Sequence, residues 1–326
     1  MKKFKVGLLG MGNVGTGAYK TLEMNRELIA SRVGADIDIT KILELDVKRK
    51  RDVNVSPDQF TQNPDDILTD PEIDIVIELL GGIEPATGFM LKAMENGKHV
   101  VTANKAAIAA DFDKLVGTAE KRRVMFRFEG SVGGGIPILN ALTKPLLANE
   151  YTEVLGILNG TTNYILTQMA ENGSPYAQAL SDAQAKGFAE ADPTADVEGH
   201  DVANKLSILI SLVFGARVHP NDIPTEGITK ISMADIEAAA KAGSKIKLIA
   251  AAKRENGALE YSVKPTLIPF SHPLAGVSNE FNAIFVKGNA VGELMFYGRG
   301  AGPLPTGSAV IGDVIEIVRA LRGDGR

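Results

Sequence analysis

The chain has 326 residues, 44% of them hydrophobic, and a formal net charge of −5. That length is enough for two domains, each with its own core, and the mildly acidic balance argues against a general nucleic-acid binder. Cysteine is absent, which excludes disulfides, thiolate zinc sites and cysteine nucleophiles. The basic start Met1-Lys2-Lys3 is followed by an apolar run that meets Gly7 and Gly10 almost at once, too short for a signal-peptide core. No apolar run reaches the ~18 residues of a membrane helix. A soluble, cytoplasmic protein is expected, with neither nucleic acid nor membrane as partner.

Taken in chain order, residues 4–9 read as a buried strand, followed by a glycine turn and one helix over 14–32. Residues 37–43 alternate as a second strand, and 73–79 form a β-branched strand ending at Gly81-Gly82. A helix over 86–96, a strand over 99–102, a helix over 106–121 and a strand over 124–128 follow. This alternation predicts an α/β domain with a doubly wound parallel sheet of the Rossmann type. It breaks at the glycine-rich stretch 130–137, where a domain boundary is expected. Beyond it, strands near 151–158, 246–252, 259–268 and 282–286 mix with helices near 161–171, 175–186, 200–214 and 233–240, an α+β pattern. The Ala-rich stretch 234–252 reads as helix plus strand, and a Gly-Pro-Leu-Pro lead-in precedes a last amphipathic helix over 306–322.

Gly10-Met11-Gly12-Asn13-Val14-Gly15 fits G-x-G-x-x-G in the required context, directly after a strand and opening a helix. Gly10 permits the tight turn, Gly12 lets the backbone approach a pyrophosphate, and Gly15 lets helix and strand pack closely. The helix N-terminus supplies unpaired N–H groups for phosphates. The second strand ends at Glu44, where a carboxylate would accept from ribose hydroxyls and favour NAD. Lys48, Arg49 and Arg51 lie just beyond. They would suit the 2′-phosphate of NADP, or they form a solvated basic loop, so both cofactors stay open.

Subtraction narrows the hydride chemistry. A thiohemiacetal route needs a cysteine, and a zinc alcohol dehydrogenase needs Cys/His ligands. The four histidines, His99, His200, His219 and His272, lack ligand spacing, and no tyrosine has lysine four residues on. A lysine can serve as the proton source at a reduced carbonyl. Lys105 closes Thr102-Ala103-Asn104-Lys105 at the carboxyl end of a parallel strand, where open sheets bind ligands, although most lysines are surface groups. Lys205 shares a helix face with Asp201, Ile208 and Leu212, so it borders a buried stripe. Asp201 would orient it, or the two form a structural ion pair. Upstream, Lys186-Gly187-Phe188-Ala189-Glu190-Ala191-Asp192-Pro193 and Asp196 supply carboxylates that either hold an ammonium group or cap turns.

These motifs occur in one order together with Glu129-Gly130-Ser131-Val132-Gly133-Gly134-Gly135-Ile136-Pro137, Asn159-Gly160-Thr161-Thr162-Asn163-Tyr164 and Gly199-His200-Asp201-Val202-Ala203-Asn204-Lys205. Together they resemble the homoserine dehydrogenase family, from the first strand to about Asp313. The resemblance implies reversible reduction of L-aspartate 4-semialdehyde to L-homoserine with NAD(P)H, on the way to threonine and methionine. It implies Lys205 as proton donor and acceptor, with Lys105 assisting at the reacting oxygen and near the cofactor. Glu190, Asp201, Asp196 and Thr162 match substrate-binding positions. Gly10, Gly12, Asn13, Val14, Gly15, Glu44, Gly81, Thr102, Ala103, Gly187 and Gly302 match positions at or near the cofactor. Glu129, Val132, Gly134 and Ile136 match a monovalent cation site, usually sodium, in which all but Glu129 would offer backbone carbonyls.

The implied organisation is a dinucleotide-binding domain over 1–130 completed by the helix 306–326, a dimerisation region from 131–150 and 285–305, and a catalytic domain over 151–284. A homodimer is implied. Glu190 and Asp201 would then hold the substrate ammonium, leaving the C4 oxygen to Lys205 and Lys105 near Gly81-Gly82. Two cationic lysines close together repel, which favours a neutral form of one. Many members carry a C-terminal ACT domain or a fused aspartate kinase; this chain stops near residue 326, so threonine feedback through such a domain is not expected. Pro303 stands where the family often has glycine, which stiffens the loop near Gly302. The alternatives are an oxidoreductase for another small amino-acid semialdehyde, and a non-catalytic NAD-binding sensor. Intact Lys105, Lys205, Glu190 and Asp201 argue against the sensor.

Overall fold

A computed structural model describes residues 2–323, so the last three residues of the segment 306–326 lie outside the description. The chain divides into two compact units, Met1–Gly135 with Ala301–Arg326, and Ile136–Gly300.

In the first unit, strand β1 (Lys2–Leu9) leads into helices α1 (Asn13–Met24) and α2 (Arg26–Val33) and strand β2 (Ala35–Leu43). Then come β3 (Phe60–Thr61), α3 (Asp65–Leu68), β4 (Ile75–Glu78), α4 (Ala86–Glu95), β5 (His99–Thr102), α5 (Lys105–Arg122) and β6 (Phe126–Arg127). The strands form one parallel sheet in the order β3-β2-β1-β4-β5-β6. This is the order of a Rossmann fold, which reverses between β1 and β4 and so opens a crevice at the strands' carboxyl ends. Phe4, Val6 and Leu8 of β1 pack in one core with Ile37 and Ile39 of β2 and Val310, Val314 and Ile317 from the C-terminal helix. A Cβ on Gly307 of that helix would lie 2.5 Å from the Ala18 nitrogen, so glycine there lets two helix backbones touch.

The expected single helix over 14–32 is two. It breaks at Asn25, whose φ of −118° is not helical and whose side-chain amide donates to the Thr21 carbonyl. An Asn that bonds its own backbone competes with helix continuation. The break turns α2 back onto β2, and Arg26 then reaches Asp36 and Asp38.

In the second unit, α6 (Ile138–Thr143) precedes β7 (Tyr151–Ile157), α7 (Gly160–Asn172), α8 (Tyr176–Ala185), α9 (Thr194–Val197) and α10 (His200–Val213). Next come α11 (Met233–Lys241), β8 (Ser244–Glu255), β9 (Ala258–Pro269), β10 (Phe281–Gly288) and β11 (Gly292–Arg299). The sheet is antiparallel, ordered β11-β10-β7-β8-β9. The strands expected over 246–252 and 259–268 are the middle of a longer hairpin. Asn256 and Gly257 turn it with φ of 51° and 84°, the positive pair that an Asn-Gly hairpin turn requires. The edge strand β11 was not among the expected elements; its alternate residues Met295 and Tyr297 are exposed.

The chain ends in α12 (Pro303–Arg322), back in the first unit. The expected lead-in is instead this helix's first turn. Proline is at home there, because the N–H it lacks would have had no helical acceptor.

Candidate active site

In the first unit the glycine turn closes against the end of β2. The Gly10 N–H donates to the Leu43 carbonyl at 3.0 Å, and Gly10 has φ of 91°. A Cβ on Gly15 would lie 2.2 Å from the Gly10 carbonyl oxygen, so any side chain there would push the turn off the sheet. Gly12 caps α1 with no side-chain bond, and a Cβ on it would meet nothing within 4 Å. Asn13 is exposed and Val14 half-buried. The space beside Gly12 at the start of α1 is thus open, as a pyrophosphate cradle needs.

Glu44 lies beside this turn. Its Oε2 accepts from the Met11 N–H at 3.2 Å and lies 2.9 Å from an Arg51 nitrogen. Arg51 also donates from Nε to the Met11 carbonyl at 3.1 Å, and its guanidinium lies 5.5 Å from the Phe60 ring centroid. The basic stretch therefore divides. Lys48 and Arg49 are exposed, whereas the Arg51 side chain is 5% exposed and neutralises Glu44.

At the next strand ends, Glu78 closes β4 as a fully buried carboxylate. Its Oε1 accepts from the Leu80 N–H and its Oε2 from the Thr102 hydroxyl, both at 2.7 Å. Burial pushes the Glu78 carboxyl up, and these hydrogen bonds offset only part of that rise. Thr102 is buried and Ala103 half-buried; Asn104 caps α5 by accepting from the Ala107 N–H. Lys105 is the first residue of that helix and half-buried. Gly81 is exposed with φ of 84°, and Gly302 caps α12 with φ of 117°. Sequence reasoning missed Glu78, although a carboxylate set directly after the apolar run Ile75-Val76-Ile77 was the available signal.

The stretch 129–136 runs from the first unit, which holds Glu129, Val132 and Gly134, to Ile136, which opens the second. Glu129 is buried, and its N–H donates to Asp313 Oδ2 at 2.8 Å. Burial pushes the Asp313 carboxyl up to about 7. Among the described residues no cluster of His, Asp and Glu forms a metal centre.

In the second unit Lys205 is 7% exposed on α10. Its Nζ donates to Asp201 Oδ2 and to the Leu158 carbonyl, each at 2.7 Å. Asp201 sits in the first turn of α10, where the helix dipole favours a carboxylate. Asn159 Nδ2 donates to Asp201 Oδ2 at 2.9 Å and to Asp196 Oδ1 at 2.7 Å, while its Oδ1 caps α7 through the Thr162 N–H. Thr162 donates its hydroxyl back to Asn159, and Thr161 donates to Asp196 Oδ2 at 3.1 Å. Burial, then the Asp201 charge, pushes the Asp196 carboxyl up. Asp196, Asp201, Thr162 and Lys205 thus meet through Asn159, which sequence reasoning did not single out.

The loop 186–193 does not join this network as a block. Asp192 caps its own turn by accepting from the Thr194 N–H and hydroxyl. Glu190 is exposed, as is Gly187, and neither is drawn into the buried network. Deeper in the unit, buried Lys247 donates to Asn163 Oδ1 at 2.9 Å and the Val277 carbonyl at 2.6 Å, and burial pulls it down to about 8.

The family model described as the homoserine dehydrogenase NAD-binding domain matches residues 10–129, and the one described as homoserine dehydrogenase matches 137–315. The homoserine dehydrogenase of Bacillus subtilis is 44% identical over 322 residues, covering 99% of this chain and 74% of that protein. A solved homoserine dehydrogenase from Thiobacillus denitrificans superposes with a TM-score of 0.94 at 42% identity, covering 99% of this chain and 75% of that one. A solved chain described as a putative homoserine dehydrogenase, from Archaeoglobus fulgidus, gives 0.85 at 32% identity and covers 97% of this chain and 99% of that one. Spanning about three quarters of its Bacillus relative and carrying both family matches in order, the chain belongs to the homoserine dehydrogenase family.

Proposed function

We propose that this homoserine dehydrogenase interconverts L-homoserine and L-aspartate 4-semialdehyde with Lys205 as the group that holds and moves the proton at the C4 oxygen. The observation that carries this reading is the set of buried Lys205, Asp201 and Asn159 with half-buried Asp196, joined by hydrogen bonds of 2.7–2.9 Å. Reduction of an aldehyde builds negative charge on its oxygen, and a positioned ammonium donates to that atom. In the reverse direction the same Nζ, once neutral, accepts the hydroxyl proton. Asp201 and the Leu158 carbonyl hold the amine in place. Asp196 and Asp201 supply negative charge for the substrate ammonium, with exposed Glu190 reaching it from the loop 186–193 and Thr162 bracing Asn159.

When bound, a nicotinamide dinucleotide supplies or accepts the hydride. Gly10, Gly12, Asn13, Val14 and Gly15 would hold its pyrophosphate, and Gly81, Thr102, Ala103 and Lys105 would line the neighbouring strand ends, with Gly187 and Gly302 close by. Glu44 would meet the adenosine ribose. Because Arg51 neutralises Glu44, acceptance of a 2′-phosphate is favoured over strict NAD selectivity. Glu129, with the carbonyls of Val132, Gly134 and Ile136, would hold a sodium ion. A homodimer through 131–150 and 285–305 would cover the exposed edge of β11 and Leu147.

Steady-state kinetics with homoserine, serine and longer hydroxy amino acids, each with NAD+ and NADP+, tests the reading. Homoserine should be the preferred substrate with either dinucleotide. Dinucleotide binding without homoserine turnover at any pH would overturn it. Sedimentation before and after Tyr297→Lys tests the dimer.

A further inference from the structure

Glu78 has a place that the cofactor reading does not use. It is a carboxylate with no exposed surface at the carboxyl end of β4, next to the reversal of strand order. An apolar side chain would be the simpler choice for such a position, because a buried charge must be matched by hydrogen bonds. The bonds it makes run to two turns. From the turn after β4 comes the Leu80 N–H. From the turn after β5 comes the Thr102 hydroxyl, and the Asn104 amide lies 3.5 Å away.

Those partners are themselves linked. Thr102 Oγ1 accepts from the Asn104 N–H at 2.9 Å, and Asn104 Nδ2 donates to the Gly82 carbonyl at 2.7 Å. Asn104 Oδ1 caps α5, whose first residue is Lys105. The result is a closed ring from Glu78 to Thr102 to Asn104 to Gly82 and back along the chain to Leu80, whose N–H bonds Glu78. It fixes the turn 79–82 and the turn 102–105 to one another, and with them the starting direction of the Lys105 side chain.

We propose that Glu78 is a positioning residue for the hydride-transfer reaction, holding the Gly81-Gly82 turn and the Thr102–Lys105 turn in the one arrangement that receives the dinucleotide. This rests on the placing of Thr102, Ala103 and Lys105 at the cofactor. Glu78 touches neither dinucleotide nor substrate; it acts through the turns it ties. Glutamine in its place keeps the volume but replaces one acceptor by a donor that faces a hydroxyl already accepting from Asn104.

The test is Glu78→Gln, with kinetics in both substrates and a melting curve. Loss of one charge-assisted bond predicts a fall of about tenfold in kcat/KM for the dinucleotide, with KM for homoserine within twofold of wild type. Ile75→Val, elsewhere on the same strand, is the control for stability alone: it should lower the melting temperature and leave both KM values unchanged. If Glu78→Gln behaves like Ile75→Val, the role is structural and the proposal is overturned. If Glu78→Gln does not fold, Thr102→Val must reproduce the dinucleotide defect; failure to do so also overturns it. Lys105→Ala separates the two levels. If it leaves dinucleotide kcat/KM unchanged, the cofactor reading falls and takes the proposal with it. If it weakens it while Glu78→Gln does not, only the role of Glu78 is lost.

Discussion

In the first unit the groups that the glycine turn presents are main-chain groups at strand and helix ends, and glycines clear the space around them. In the second unit the corresponding groups are side chains gathered from 159–162, from Asp196 and from α10, with the Leu158 carbonyl beside them. The first arrangement tolerates no added atom at Gly10 or Gly15 but needs no charge of its own. The second is made of charge and is held by one amide, Asn159, which touches both carboxylates. The contrast fits the tasks proposed for the two regions. A pyrophosphate is bound by fixed dipoles, whereas a proton must be held by a group that can release it.

The contrast predicts separable defects. The largest belongs to Lys205→Met, which keeps the buried volume and removes the proton carrier. Loss of a general acid–base group costs on the order of 10²–10⁴ in rate, so kcat should fall about a thousandfold. Dinucleotide affinity, measured by fluorescence of the reduced form, should stay within threefold. A variant with near wild-type kcat would remove Lys205 from the chemistry. The mirror experiment is Gly15→Val, whose Cβ would start 2.2 Å from the Gly10 carbonyl. A misplacement of about 1 Å can cost on the order of 10²-fold, and here it should appear in KM for the dinucleotide and not in KM for homoserine. Equal losses in both would mean that the two sites do not divide the work in this way.

How much of this was legible in the sequence differs between the same two regions. The glycine turn was readable because strand, turn and helix are adjacent in the chain and each glycine answers a local steric need. Lys205 and Asp201 were readable as neighbours because four residues make one helical turn. Asn159 was not, because nothing local says that its amide crosses to Asp196 and Asp201. Glu78 was missed for a similar reason: its partners Thr102 and Asn104 lie more than twenty residues on. The break at Asn25 escaped because hydrophobic periodicity runs on through it, while the Asn256-Gly257 turn was in plain view and marks the hairpin that the shorter strands had hidden.

Arg51 sharpens the comparison at its weakest point, since it is a side chain working beside a backbone turn. Its bonds to Glu44 and to the Met11 carbonyl tie the loop after β2 to the glycine turn. Arg51→Ala frees the Glu44 carboxylate to accept from a ribose 2′-hydroxyl and to repel a 2′-phosphate. The ratio of kcat/KM with NADP+ to that with NAD+ should drop by about tenfold, the worth of one charge-assisted contact. An unchanged ratio would mean that Arg51 serves the loop alone and leaves the choice of dinucleotide to other residues.

The smallest effect concerns a second buried lysine, and it asks whether burial alone makes a lysine of this unit into a proton carrier. Lys247 is 2% exposed, bonded to Asn163 and the Val277 carbonyl, and pulled down to about 8 mainly by burial. In the unfolded chain its value is about 10.4. Between roughly 8 and 10.4 the unfolded state therefore holds more protons than the folded one, and stability rises with pH. From pH 7 to pH 9 this lysine should add about 1 kcal/mol to the unfolding free energy. Burial raises Tyr19, Tyr151 and Tyr176 above their ordinary values. They oppose the trend only above about pH 10, outside that window, whereas Asp313, raised to about 7, opposes it at the lower end of the window. Lys247→Met should flatten the rise in urea titrations at pH 7, 8 and 9 and leave kcat within twofold. A steep fall in kcat would give Lys247 a share in the proton chemistry. A flat stability profile with intact turnover would assign that chemistry to Lys205, whose partner is a carboxylate, and leave Lys247 as an anchor for α7.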